Sequence, residues 1–395
     1  MVERADGLER RPDQSRYEYM SGHELTRVNS WVRLGVTFRT SLQDWRATIK
    51  KEGPHMLNIA IIGAGRIGAV HAATVAAHPD ARLVLVADPF ADSAARVGAL
   101  HGARSTTDIA EVYADDDVDA VIIGSPTPTH VDHIVSAVQA GKAVLCEKPV
   151  DLSIKQVDEC LTAIAGKEDT VMIGFNRRFD PTFAEVHARV RDGEIGTLEQ
   201  LTIISRDPSA PPTSYIADSG GLFRDMTIHD FDTARFFLGD IIEVSAVGQH
   251  LDPAIEAAGD YDGAVITLTA ASGAVATIIN SRHCASGYDQ RLEAFGPSGV
   301  LEAVNHTATS VRYSGTSQTS ANGPYLDFFL QRYADAYRIE LSHFIDSVTR
   351  DVAPSPSILD GRAALILADA ATLSATTGER VAVAAGRERV TDIVR

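Results

Sequence analysis

The sequence predicts an α/β domain built on a doubly wound parallel sheet, followed by an α+β domain with a mostly antiparallel sheet. Three observations carry this. Residues 57–68 (LNIAIIGAGRIG) run an apolar strand into Gly63-x-Gly65-x-x-Gly68, and Asp88 lies twenty residues past the last glycine. From Leu57 to about Phe175, short apolar runs alternate with helical stretches. After Phe175, strand-like runs follow one another with hairpin punctuation.

The glycine turn comes first. Gly63 permits a tight turn, Gly65 lets backbone approach a pyrophosphate, and Gly68 lets helix and strand pack closely. The helix that follows offers free N–H groups and a positive dipole end to phosphates. Asp88 closes the next apolar run, Leu83–Ala87. There a carboxylate accepts both ribose hydroxyls and repels a 2′-phosphate, which favours NAD over NADP. A glycine-rich turn of some other α/β fold is the competing reading. The strand before, the helix after and the spacing of the acid argue against it.

The remaining runs of this half are Val118–Gly124, Ala143–Cys146 and Val171–Phe175, with helices near Ile67–His78, Asp92–Leu100, His130–Ala140 and Ile154–Ile164. Continuous rather than alternating apolar strands imply burial on both sheet faces. Strand–helix alternation implies parallel pairing, with ligands beyond the carboxyl ends of the strands. In the second half, Val265–Ala270 and Ala274–Asn280 flank Ser272-Gly273, and Leu292–Phe295 and Val300–Ala303 flank residues 296–299 (GPSG). Both read as hairpins. Helices are expected over Phe179–Arg191, over about Asp225 to Leu238 before Gly239, near Tyr325–Val348 and over Gly361–Ser374, with Leu365, Ala368 and Thr372 on one face. The domain boundaries expected are 1–55 for an N-terminal extension, 56–175 for a Rossmann-type cofactor domain and 176–395 for a substrate and oligomerisation domain.

Composition narrows the function. With 36 Lys and Arg against 53 Asp and Glu, a net charge of −17 argues against nucleic acid and anionic membrane surfaces as partners. Cys146, Cys160 and Cys284 are odd in number and widely spaced, which suits neither a disulfide framework nor a zinc cluster and points to the cytoplasm. No apolar run approaches a membrane span. The first 55 residues differ from the rest: they hold both tryptophans and eight arginines, and they are net positive. An upstream extension from a misplaced start codon, an accessory arm and a targeting segment are the three readings of that stretch.

Two further motifs carry chemistry. Glu147-Lys148-Pro149 ends a strand at the sheet edge where nicotinamide belongs, so Lys148 can hydrogen-bond a substrate hydroxyl and favour its alkoxide. A solvated lysine at a strand end is the alternative. Asp225 and His229 are four apart and share one face if a helix spans them. A carboxylate beside an imidazole fixes its tautomer, and oxidising an alcohol needs a base for the hydroxyl proton. A helix-terminal acid with a surface histidine is the alternative. Asn176-Arg177-Arg178 offers an arginine to a polar substrate or a boundary salt bridge, and His130-x-x-His133 lacks the partners of a metal pair.

Taken together, GAGRIG with Asp88, Ser125-Pro126-Thr127-x-x-His130, Glu147-Lys148-Pro149, residues 175–180 (FNRRFD) and the Gly220-Gly221…Asp225…His229-Asp230 run resemble the Gfo/Idh/MocA oxidoreductase family. The resemblance spans roughly residues 57–387. It implies an antiparallel sheet left open on one face in the second domain, and a homotetramer formed by packing such faces together. It implies Lys148, Asp225 and His229 as catalytic, with no metal. It implies Gly63, Gly65, Arg66, Ile67, Gly68, Asp88, Ser125, Thr127, His130 and Glu147 around NAD, and Arg178, Asp207 and Tyr288 around the substrate. Residues 175–180, Ser205-Arg206-Asp207-Pro208 and Tyr288-Asp289-Gln290-Arg291 are most similar to members that oxidise myo-inositol. Siblings acting on scyllo- or chiro-inositol or an aldose, and a catalytically silent NAD-binding regulator, are the alternatives. The arm before Met56 has no counterpart in that resemblance.

Overall fold

The structure is a computed structural model that describes residues 56–350 and 352–383. The expected extension at 1–55 and the end of the second domain at 384–395 lie outside the described residues.

Strands β1 (Leu57–Ile62), β2 (Ala81–Ala87), β3 (Arg104–Thr106), β4 (Ala120–Ile123), β5 (Ala143–Glu147) and β6 (Val171–Gly174) form a parallel sheet in the order β3-β2-β1-β4-β5-β6. Five arise where apolar runs are expected. The sixth, β3, is a three-residue polar edge strand that no hydrophobic run announces. Helices Arg66–Ala77, Ala91–His101, His130–Gln139 and Ile154–Ala163 match the expected stretches. Successive residues of β1 enter different cores, as pleating requires. Ile59 and Ile61 pack with Leu145 and Phe344, while Ala60 and Ile62 pack with Val121 and Ile173. Burial on both faces is the physical cause of the unbroken apolar runs.

The second sheet contains β7 (Gln200–Arg206), β8 (Ile241–Gln249), β9 (Gly263–Ala270), β10 (Val275–Ser281), β11 (Asp289–Gly296) and β12 (Gly299–Ala303). A separate ribbon pairs β13 (Arg312–Tyr313) with β14 (Ala321–Asn322), and β15 (Val381–Ala382) completes the larger sheet. Its order is β12-β11-β7-β10-β9-β8-β15. Both expected hairpins are present, and only β7 and β10 run parallel. Helices Ile228–Leu238 and Ile358–Thr377 pack together, and the latter also lies on β8 and β6, so it bonds the two sheets into one unit. Among the described residues, Val247, Val265, Phe295 and Val300 are exposed on the opposite face, one continuous face by their ladder partners.

Three helices depart from expectation. The helix over Asp225–Leu238 is two pieces, Gly221–Asp225 and Ile228–Leu238, with the chain turning at Met226 and Thr227. The one over Tyr325–Val348 divides at Tyr333 into Phe329–Arg332 and Ala334–Thr349. Phe179 belongs to a 3₁₀ turn, and the helix starts at Pro181 because Asp180 caps it, accepting from Thr182 N and Phe183 N at 3.1 Å. Among the described residues, no helix is long and apolar enough to cross a membrane, and no group of acid, thiol and imidazole side chains is placed to hold a metal.

Candidate active site

The phosphate end is built by the first turn. Gly63 has φ +95°, and a Cβ there would lie 2.6 Å from the carbonyl of Gly124. A Cβ on Gly68 would lie 1.8 Å from the carbonyl of Gly63, so the helix touches the turn directly. Gly63 follows β1 and Gly124 follows β4, the neighbours between which strand order reverses. Such a switch point opens a crevice for ligand. Helix Arg66–Ala77 has no side-chain cap at its N-terminus, which leaves its first N–H groups for an anion. Asp88 is 8% exposed, with its carboxylate accepting from Ala64 N at 2.7 Å and Phe90 N at 2.8 Å. Those bonds fix the acid at the rim of the same crevice. Gly65 and Arg66 are exposed, Ile67, Ser125 and Thr127 half-buried, and Ser125 Oγ is 2.7 Å from Thr129 Oγ1. These residues fit a dinucleotide.

Two residues expected on the cofactor are turned elsewhere. His130 is 1% exposed, with Nδ1 at 2.8 Å from the Pro149 carbonyl and Nε2 at 2.9 Å from that of Ser125. It ties together the loops that leave β4 and β5. Glu147 is buried, with Oε1 at 2.8 Å from His71 Nε2. Glu147 faces His71 in the interior, and Lys148, in the bend that follows β5, reaches Asp225.

The Lys148 ammonium donates to the carbonyl of Asp225 at 2.7 Å and to its Oδ1 at 3.2 Å. The Tyr215 hydroxyl donates to that same Oδ1 at 3.2 Å. Here the expected pairing is corrected. Because the helix breaks at Met226, Asp225 and His229 do not share a helical face, and the Asp225 carboxylate engages Lys148 and Tyr215 rather than the imidazole. The half-buried His229 ring packs edge-on to Phe175 at 6.0 Å, with Nδ1 buried and unbonded. Burial, and then the positive charges of Lys148 and Arg177, hold its pKa well below the usual imidazole range. It is therefore neutral near pH 7 and able to accept a proton.

What steadies His229 is the next residue. Asp230 is 0% exposed. Its Oδ1 accepts from Arg177 and from Ser205 Oγ, the latter at 2.6 Å, and its Oδ2 accepts from Asn280 Nδ2 at 2.8 Å. Asn280 Oδ1 in turn accepts from Thr227 Oγ1 at 2.6 Å. The start of helix Ile228–Leu238 is thus bonded to β7, to β10 and to the turn after β6.

Arg178 is the clearest misplacement. Its guanidinium grips Asp232 at 2.8 and 2.5 Å and Asp360 at 3.1 Å, and lies 5.0 Å over the Phe236 ring. It is a buried structural cation. Arg177, one residue earlier, is the arginine whose charge reaches His229, Asp207 and Tyr288. Asp207 is half-buried, and its carboxyl is pushed up to about 7, first by burial and against the pull of Arg177. Tyr288 is 5% exposed, edge-on to Phe328 and Tyr333, and burial raises its hydroxyl well above the usual range. It keeps its proton and can donate. Tyr215 and Asn280 were not anticipated, since no local motif marks either one.

A family model described as the oxidoreductase family with NAD-binding Rossmann fold matches residues 57–175, and the GFO/IDH/MocA C-terminal domain matches residues 183–302. The chain is 46% identical to the inositol 2-dehydrogenase of Rhizobium meliloti over 330 residues, 83% of this chain and 99% of the relative. Among solved structures it resembles a myo-inositol dehydrogenase from Corynebacterium glutamicum, with TM-score 0.82 and 50% identity over 83% of this chain and 99% of that one. It also resembles a scyllo-inositol dehydrogenase from Lactobacillus casei with bound NAD(H) and scyllo-inositol, with TM-score 0.74 and 28% identity over 83% and 99%.

Proposed function

The chain belongs to the Gfo/Idh/MocA oxidoreductase family, and from that premise we propose that it catalyses the NAD-dependent oxidation of myo-inositol. One ring secondary alcohol loses two hydrogens, giving 2-keto-myo-inositol (scyllo-inosose), NADH and a proton. The observation that carries the reading is convergence. Lys148 leaves the nucleotide sheet and bonds Asp225 of the second half, four residues before His229, and its positive charge acts on that imidazole.

When bound, NAD supplies the hydride acceptor. Gly63, Gly65, Gly68 and the first N–H groups of helix Arg66–Ala77 hold its phosphates, and Asp88 its ribose. The partly exposed His229 ring takes the hydroxyl proton, and its low pKa keeps it unprotonated beforehand. Lys148 donates to the same oxygen and stabilises its alkoxide character. Asp225 fixes Lys148 rather than the imidazole. Arg177, Asp207 and Tyr288 address the other hydroxyls, with Asp207 poised near neutrality to accept or donate. A ring of similar hydroxyls makes orientation a large part of the catalysis.

Initial rates with NAD on myo-, scyllo- and chiro-inositol and glucose test the substrate, and myo-inositol is expected to lead. A lead for scyllo-inositol would favour the second reading, which rests on the likeness to the Lactobacillus casei enzyme. His229→Ala should cut turnover by about 10²–10⁴, and near-parental turnover would remove the proposed base. We place the enzyme in the cytoplasm, where its three cysteines, all buried free thiols, stay reduced. The open sheet face with Val247, Val265, Phe295 and Val300 supports a homotetramer, which native mass measurement tests.

A further inference from the structure

Lys148 donates its shorter bond to the main-chain carbonyl of Asp225, at 2.7 Å, and its longer one to the carboxylate, at 3.2 Å. Its position therefore follows the backbone of the five-residue helix Gly221–Asp225. A helix that short has no stability of its own and must be held from outside. Its far end is held by Thr227, whose N–H reaches the Leu222 carbonyl at 2.9 Å. Its near end is held by an acid thirty-eight residues away: Asp260 Oδ1 accepts from Leu222 N at 2.9 Å. Gly221 has φ +81°, and a Cβ there would lie 2.6 Å from that oxygen, so the turn is shaped to admit the carboxylate.

The other oxygen of Asp260 is 2.5 Å from Arg282 Nη1. Arg282 directly follows β10 and is 1% exposed. Its main-chain N–H donates to the Asp262 carbonyl at 2.8 Å, which locks it to the sheet. Its Nη2 is buried and unbonded, and Asp260 is the carboxylate that neutralises it. The chain of contact runs from the central strand β10 through Arg282 and Asp260 to Leu222, then along one helical turn to Asp225 and Lys148. Its charge also reaches Asp207 and Tyr215.

We propose that Asp260 and Arg282 are a positioning pair that sets the backbone of Asp225, and through it the Lys148 ammonium, against the reacting hydroxyl. This rests on the catalytic reading of Lys148 given above. Neither residue touches the reacting atoms.

The test compares the parent enzyme with Arg282→Lys and with the double variant Asp260→Asn, Arg282→Met, all as full chains. The double variant leaves no unpaired buried charge and keeps an amide oxygen for Leu222 N, so it is the variant expected to fold. In it, kcat on myo-inositol should fall about 10- to 100-fold, the usual cost of a displaced catalytic group. The dissociation constant for NAD should stay within about twofold, because the phosphate turn is untouched. The acid limb of the kcat profile should move to higher pH as the ammonium withdraws from His229. Arg282→Lys keeps the charge and should recover most of the lost kcat. A folded double variant with parental kcat and an unmoved acid limb overturns the proposal. So does a loss that appears equally in NAD affinity, which would mark general damage. No turnover of any polyol by the parent would instead defeat the functional reading.

Discussion

Asp230→Ala is the most demanding test of how the site is held. The carboxylate is 0% exposed and neutralises Arg177, whose side chain is 4% exposed. Removing one partner of a buried ion pair leaves an uncompensated charge and costs about 3–5 kcal/mol. The same change removes the bonds that Ser205 Oγ and Asn280 Nδ2 make to it at 2.6 and 2.8 Å, although Ser205 Oγ keeps Arg177 at 2.9 Å and Asn280 Nδ2 keeps the Ser205 carbonyl at 3.4 Å. The stranded Arg177 charge therefore sets the expected cost. Urea unfolding followed by far-UV circular dichroism measures the loss. Adding Arg177→Met to Asp230→Ala should return part of it, because the stranded cation is then gone. Turnover should fall with stability, since Asp230 adjoins His229 in the first turn of helix Ile228–Leu238. A destabilisation below about 1 kcal/mol would mean that Arg177 is solvated in solution and that the network described here does not hold the helix.

Lys148→Met should move the acid limb of kcat/KM to higher pH. The lost cation depresses the His229 pKa, so without it the ring protonates sooner as pH falls. An unmoved limb would show that the two groups are not neighbours. Asp88→Ala should weaken NAD by about 10- to 100-fold, the worth of charge-assisted hydrogen bonds, and relax discrimination against NADP. Isothermal titration with both nucleotides checks this, and equal affinities in the parent would contradict the role given to Asp88. Arg178→Met should cost stability, by about 3–5 kcal/mol at most, with KM for the polyol unchanged. A raised KM with an unaltered melting curve would return Arg178 to the substrate.

The cofactor half was legible because its signals are local. A glycine turn, an acid at fixed spacing and apolar runs buried on both faces each act within one βαβ unit. The edge strand β3 was not legible, since three polar residues at a sheet margin bury too little to leave a pattern. In the second half, β7 and β8 do alternate in burial, as QLTIISR and IIEVSAVGQ suggest, but no turn pair marks them as the hairpins were marked. Of the site's contacts, the meeting of Lys148 with Asp225 was legible in the motifs. The Asp225–His229 pair failed because an i, i+4 argument presumes an unbroken helix, and the chain turns at Met226 and Thr227. Arg177 and Arg178 cannot be told apart by composition. The 3₁₀ turn Asn176–Phe179 sends one toward Asp230 and the other toward Asp232.

The charges of the site explain why its chemistry falls to the residues it does. Lys148 is matched by Asp225, Arg177 by Asp230 and Arg282 by Asp260. Each cation has its own carboxylate, and each pair also bonds backbone or side chains that fix its place. Among the described site residues, His229 is pushed down by burial and by cations, Asp207 is pushed up to about 7 by burial, and the Tyr288 hydroxyl is raised well above the usual range by burial. Environments that drive an acid and a base in opposite directions are how a fold runs proton chemistry near neutrality. Arg177–Asp230 and Arg282–Asp260 are buried, so removing one charge of either pair would strand the other. His229, held neutral and not fixed by a carboxylate, is therefore the residue to which we assign the proton of the reacting hydroxyl, and we assign Asp207 to a neighbouring hydroxyl.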